Sequence, residues 1–260
     1  MCTRKEISLH SFFLTVSKQF RYRLHLMSQK SIWLIVGLLF LAPSILFSQE
    51  DKKPKKARSL IELGYGINSD ASVVSAGYYR SWTLSKSKKI LKNINLGTGI
   101  RFNGFGGKDI YFVSSRPQFY KTKDEDSILA PAPAIYSVNT FLTIGYQFTP
   151  KLQAGFDIDA FGFSFGPKGS PTFISNGQEQ TAKVNPTQFN VLAVNANNFG
   201  SLLSNIYVRY QFTKNWGARL TYQKSYAEIT TEEVLQTKPG INQRFRYVGR
   251  LIGLGVSYHF

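Results

Sequence analysis

The sequence predicts an all-β fold: a transmembrane, antiparallel, up-and-down β-barrel of eight strands, preceded by a signal peptide. Three observations predict it. The final stretch, 246–260, reads RYVGRLIGLGVSYHF, and from Ile252 it alternates without a break. Ile252, Leu254, Val256, Tyr258 and Phe260 share one face, while Gly253, Gly255, Ser257 and His259 share the other, which is the strand period of two. Earlier segments alternate in the same way. The connections between them are short and long by turns, as membrane-spanning barrels require.

Composition narrows the class. The chain has 260 residues, 43% of them hydrophobic and 15% aromatic, with a net charge of +17. A mean hydropathy of -0.17 excludes a polytopic helical membrane protein, which needs several long apolar runs. It leaves room for a barrel, because half of each barrel strand is polar. Cys2 is the only cysteine, so no disulfide scaffold, thiolate metal site or cysteine nucleophile is expected, and no lipid-bearing cysteine follows the apolar run.

That run, 32–47, reads IWLIVGLLFLAPSILF, with Lys30 ahead of it and Ser48-Gln49-Glu50 behind. A basic flank, an apolar middle and a small residue before a polar start is secretory signal architecture. A single membrane anchor fits less well, because the run is short for a span and Pro43 interrupts it. Cleavage is expected near Ser48-Gln49, with Met27 as the translation start. The chain then divides into an upstream extension (1–26), a signal peptide (27–48), a basic periplasmic linker (49–59) and the barrel (60–260). Lys52, Lys53, Lys55, Lys56 and Arg58 make the linker basic, and Lys86, Lys88, Lys89 and Lys92 form a second group. In an exported chain such runs suit a solvated tail or anionic lipid head groups better than nucleic acid.

The strands follow in order. Leu60–Asn68 sets Ile61, Leu63, Tyr65 and Ile67 against Glu62, Gly64 and Gly66. Ser72–Thr83 turns Val74, Ala76, Tyr78 and Trp82 outward, with Arg80 spoiling that face. Leu91–Asn103 sets Ile94, Leu96, Ile100 and Phe102 against Asn95, Gly97, Gly99 and Arg101. After a polar stretch from Gly104 to Pro133, Ala134–Phe148 puts Val138, Leu142, Ile144, Tyr146 and Phe148 outward. Leu152–Phe165 has Leu152, Ala154, Phe156 and Ile158 outward and Gln153, Gly155, Asp157 and Asp159 inward. Its parity changes at Phe161, Phe163 and Phe165, which predicts a bulge near Ala160. A loop from Gly166 to about Gly200 leads to Ser201–Phe212, with Ile206, Val208, Tyr210 and Phe212 outward. Trp216–Glu228 turns Trp216, Ala218, Leu220 and Tyr222 outward, and a loop over Ile229–Phe245 returns to the final strand. A ten-strand variant stays open, because Phe189, Val191 and Ala193 also alternate.

The two tight turns are near repeats, Tyr146-Gln147-Phe148-Thr149 and Tyr210-Gln211-Phe212-Thr213. Tyr146, Phe148, Tyr210 and Phe212 therefore mark one membrane boundary, joined by Trp82, Trp216, Tyr258 and Phe260 in an aromatic girdle. A last strand ending on Phe260, with Tyr258 two before it, resembles the assembly signal of bacterial outer-membrane β-barrels. The chain as a whole resembles their small eight-stranded members of the OmpA-, OmpX- and OmpW-like kind. The resemblance implies an outer-membrane location and a final strand read by the barrel-assembly machinery. It also implies contact with outer-membrane lipids and lipopolysaccharide, and a monomer. With Phe260 as the last residue, a cell-wall-binding domain is not expected.

An eight-stranded barrel has an interior just wide enough for side chains to fill. The inward positions carry Glu62, Asp157 and Asp159 against Arg101, Arg209 and Arg219, and charges withdrawn from water must pair. A plugging ion-pair network is the first expectation, and a gated narrow pore the second. No catalytic, cofactor or metal site is expected. His10 and His25 precede the mature chain, and His259 reads as a polar strand-end residue. Asp157 and Asp159 share a face but have arginines nearby and no evident cleft. The glycines at 97, 99, 104, 106 and 107 spell no dinucleotide loop. Asp124-Glu125-Asp126 could touch calcium, although a short acidic loop run is ordinarily just solvated. The expected function is structural or surface-interacting, through three long loops that include Tyr111, Phe112, Arg116, Phe119, Tyr120, Lys121 and Lys123. A narrow channel or a transporter for small or apolar solutes is the alternative, and a lipid-modifying enzyme the last.

Overall fold

Alternation of Val, Ile, Leu and aromatic residues with small or polar ones builds the long strands, because such side chains suit a pleated surface wetted differently on its two faces. The computed structural model describes residues 57–84, 91–115, 126–193, 198–237 and 240–260. The expected upstream extension and signal peptide, and all but the end of the basic linker, lie outside the described residues, as do Arg116, Phe119–Lys123, Asp124 and Glu125.

Among the described residues the strands run β1 (Arg58–Ile67), β2 (Ala71–Thr83), β3 (Ile94–Gly107), β4 (Ile110–Ser114) and β5 (Ser127–Ala130). Then come β6 (Ala134–Gln147), β7 (Leu152–Phe165), β8 (Thr172–Ser175), β9 (Gln178–Thr181) and β10 (Val184–Pro186). The last four are β11 (Phe189–Val191), β12 (Leu202–Gln211), β13 (Trp216–Thr231) and β14 (Arg244–His259). Eight of them close a ring of antiparallel pairs in the order β1, β2, β3, β6, β7, β12, β13, β14 and back to β1. Closure pairs Leu60–Ile67 with His259–Ile252 and leaves no free edge in the wall. The strand containing Phe189 has three residues and lies beside β7 only, so the ring has eight members and not ten.

The outer face is an apolar belt. Leu63, Leu142, Ile206, Leu220, Ile252 and Leu254 are each more than half exposed, an arrangement untenable in water and suited to lipid. The chain is a transmembrane barrel. The expected bulge lies at Ala160: Thr140 pairs with Phe161 and Phe141 with Asp159, so Ala160 is the extra residue and Phe161, Phe163 and Phe165 turn outward.

The repeated turn has a local cause. Thr149 Oγ1 accepts from the amides of Lys151 and Leu152 (3.3 and 3.1 Å), and Thr213 Oγ1 accepts from those of Asn215 and Trp216 (3.3 and 2.9 Å). Gln147 Nε2 donates to the Thr149 carbonyl, and Gln211 Nε2 to that of Lys214. Each Gln-Phe-Thr thus caps its own hairpin and leaves the Phe free to meet the membrane.

Several boundaries differ from expectation. Leu91–Asn93 forms a 3₁₀ turn, and β3 runs on through Gly107. The stretches expected to be loops at 104–133 and 166–200 hold β4, β5 and β8 to β11, while β13 runs on to Thr231 and β14 begins at Arg244. Their apolar residues turn inward. Ile110, Phe112, Ile128 and Phe173 are almost wholly buried and meet Val73, Phe105, Ile135, Leu203, Ile229 and Leu251 from the inner wall. Phe112, expected in a partner-facing loop, is 0% exposed for this reason, whereas its neighbour Tyr111 stays exposed.

The short strands also extend the wall. Where β1 ends, β4 takes its place beside β14. Where β12 begins, its position on either side is continued by β11 against β7 and by β10 against β13. The backbone groups that a ragged barrel rim would leave unpaired are satisfied by the cap itself.

Candidate functional site

The inside of the barrel is the candidate site, and its floor is a single alternating chain of charges. Arg209 donates to Glu62 at 2.7 Å, and Arg219 bonds Glu62 and Asp157 at once. Arg101 lies 3.6 Å from Asp157 and bonds Asp159 directly. The six residues come from β1, β3, β7, β12 and β13, so folding alone brings them together. Three positive and three negative groups sum to zero, as burial at this depth requires.

Neutral groups complete the shell. Tyr79 Oη donates to Glu62 at 3.1 Å and accepts from Arg219 at 2.7 Å. Asp159 accepts from Asn139 (2.8 Å), Asn103 (3.3 Å) and the Leu203 amide (2.9 Å). Arg219 lies 4.2 Å above the Tyr207 ring, and Arg101 4.9 Å above that of Phe141. Those rings need small neighbours. A Cβ on Gly99 would lie 2.5 Å from Phe141, and one on Gly155 would lie 2.6 Å from the Tyr207 hydroxyl.

The alternation pointed to all six charges but gave no sign of a second cluster nearer the cap, on the other face of β13 and β14. Glu228, expected at a strand's end, is fully buried and takes bonds from Arg246 (3.0 Å through Nε), Arg244 (3.4 Å) and the Gly200 amide (3.1 Å). Asn190 of β11 joins the two clusters. It donates to Asn139 at 2.8 Å and accepts from the Ser201 amide, and Ser201 Oγ accepts from the Glu228 amide. No periodicity could have revealed this, because Asn190 reaches the wall from a three-residue strand.

Little space remains inside. The cavity bordered by Glu62, Tyr79, Arg101 and Arg219 measures about 10 Å³, near the minimum for one water. At the turn end, a space of about 30 Å³ is lined by Arg58, Lys151, Arg209 and His259. Ser257 Oγ and His259 Nε2 lie 3.2 Å apart at that end, with Ser257 0% exposed.

The named aromatics fall at the turn end of the belt. Trp216 and Tyr258 stack edge-on at 5.0 Å, as do Tyr146 and Phe148, and Phe260 lies 5.3 Å from Tyr258. Tyr210 and Phe212 are about half exposed, and Arg80 covers Trp82 at 5.7 Å. A second aromatic row at the opposite end was not anticipated. Phe102, Tyr136, Phe165 and Phe163 follow one another at 5.8–6.2 Å.

The chain's likenesses are to membrane barrels. It is similar to the attachment invasion locus protein Ail of Yersinia pestis at 11% identity, over 78% of this chain and 99% of that one, with a TM-score of 0.34. It is similar to the N-terminal β-barrel domain of Pseudomonas aeruginosa OprF at 13% identity, over 78% and 97%, with a TM-score of 0.31. A major outer membrane protein of Thermus thermophilus is similar at 10% identity, over 79% and 100%, with a TM-score of 0.38. No family model matches the chain, and no curated protein matches it. The architecture stands on the chain's own strand register.

Proposed function

We propose that this is a non-enzymatic outer-membrane protein whose barrel is a closed scaffold and whose working surface is the folded cap. One observation carries this reading: among the described residues the lumen holds the ion chain below and the Phe112, Ile128, Phe173 and Phe245 core above. A barrel so filled holds a surface in place; it does not conduct. The cap then meets lipopolysaccharide or external partners. Tyr258 and Phe260 serve as the assembly signal for the barrel-assembly machinery, and the working form is a monomer. Planar-bilayer recording tests the closed lumen. Silence at moderate voltage is expected, and steady unitary openings would overturn it.

A second reading, a route for apolar solutes, has one observation in its favour. A cleft of about 290 Å³ at the cap end is walled by Pro131, Pro133, Pro167, Pro171 and Pro186 and ends on Phe112 of the plug and Ile135 and Ile229 of the wall. Uptake of an aromatic hydrocarbon by vesicles bearing the protein, abolished by filling the cleft with Ala130→Trp, would favour this route over a sealed scaffold.

A further inference from the structure

Outward charges are scarce on this barrel. Along the exposed lipid-facing positions of the eight long strands they are Arg80, Lys224 and Arg250; Glu228, Arg244 and Arg246 continue the same face of β13 and β14 toward the cap, where they pair with one another and are largely covered. Arg80 lies at the turn end over Trp82. Lys224 and Arg250 lie toward the cap, and they are direct cross-strand partners on β13 and β14. Directly opposed residues have Cβ atoms about 4.5–5.5 Å apart, and like charges so placed repel. Among the described residues neither has a carboxylate within ion-pair distance.

The register places this pair toward the cap end of the belt, with Tyr226 and Val248 in the row beyond it. One row below it, Ile206, Tyr222, Ile252 and Ile67 follow one another across β12, β13, β14 and β1, all exposed and apolar or aromatic. The next row is Ser204, Lys224 and Arg250. Counting from the Trp216–Tyr258 row, the pair is eight residues up each strand. At ~3.3 Å per residue and a tilt of about 40° that is roughly 20 Å of height, against a belt about 25 Å tall. Snorkelling covers the rest. The Lys224 ammonium already bends toward the cap and lies 5.1 Å from the Tyr226 ring.

We infer that Lys224 and Arg250 clamp the phosphate of an anionic lipid in the outer leaflet. The occupant follows from charge and height. Two unneutralised cations in register call for an anion with several acceptor oxygens, and the apolar row beneath them receives its acyl chains. The inference rests on the membrane-spanning architecture and not on whether the lumen conducts.

The test is native mass spectrometry of the refolded full chain in micelles doped with phosphatidic acid or phosphatidylcholine. The wild type is expected to retain phosphatidic acid in preference to phosphatidylcholine. The double variant Lys224→Gln/Arg250→Gln should lose that preference by roughly ten- to thirtyfold, the scale of two surface cations, while Lys108→Gln on the cap keeps it. Equal retention by the double variant would overturn the clamp. So would inorganic phosphate displacing the lipid as well as free phosphatidic acid does, since the site would then read phosphate alone. A native heat shift on a detergent gel shows that the double variant folds. If it does not, the two single variants are compared, each expected to lose part of the preference; retention unchanged in both overturns the clamp. A wild-type chain without a heat shift would remove the membrane architecture itself, a separate failure.

Discussion

Arg209 and Arg219 face each other directly across β12 and β13, and Glu62, from β1 two strands beyond β13, binds both. Two guanidinium groups on adjacent strands would drive the wall apart without that carboxylate. Glu62→Gln should therefore cost about 3–5 kcal/mol, the loss seen when one partner of a buried ion pair is removed. Urea unfolding in detergent micelles, followed by tryptophan fluorescence, measures it. An unchanged midpoint would mean that the arginines find relief elsewhere.

Gly99 pairs directly with Phe141 of the adjacent β6, whose ring lies over it against Tyr79. Its absent Cβ leaves room for that ring and for the Tyr78 carbonyl on the neighbouring strand. Gly99→Val should abolish the folded, heat-modifiable form, because backbone and a 0%-exposed ring would both have to move. A variant with a normal gel shift would show that the strand spacing is softer than it looks.

Phe112 anchors the cap. Phe112→Ala should cost about 3–5 kcal/mol of cap stability, the range for emptying a buried aromatic site. The expected readout is faster limited proteolysis of the cap with the gel shift of the barrel intact. Loss of both together would mean that cap and barrel unfold as one unit.

Phe260 is 69% exposed, and its amide donates to the Ser59 carbonyl at 3.0 Å. Its side chain adds little to the core, so Phe260→Ala should leave the unfolding midpoint within about 0.5 kcal/mol. If Tyr258 and Phe260 act as the assembly signal, the variant should accumulate less in the outer membrane at equal expression. Equal accumulation would remove that role.

Part of the cap was legible in the residues. Asn176-Gly177 is the strongest short-range hairpin signal, and both residues adopt positive φ (49° and 74°) in the two-residue turn between β8 and β9. It lies inside a stretch expected to be a loop, where the weak alternation on either side of it drew no strand. The β4–β5 hairpin was harder to see, because its strands have five and four residues, too few for alternation to stand out.

The sequence by itself determined which face of each long strand meets lipid, because a period of two is local and survives any register. It determined the six inward charges for the same reason, and the tight turns through their own threonines. Only the tertiary structure decided that those charges form one unbroken chain, that Glu228 and Asn190 extend it, and that the expected loops fold into an apolar plug. Each of these depends on residues far apart in the chain meeting across a closed ring, and pairing at a distance leaves no mark on periodicity.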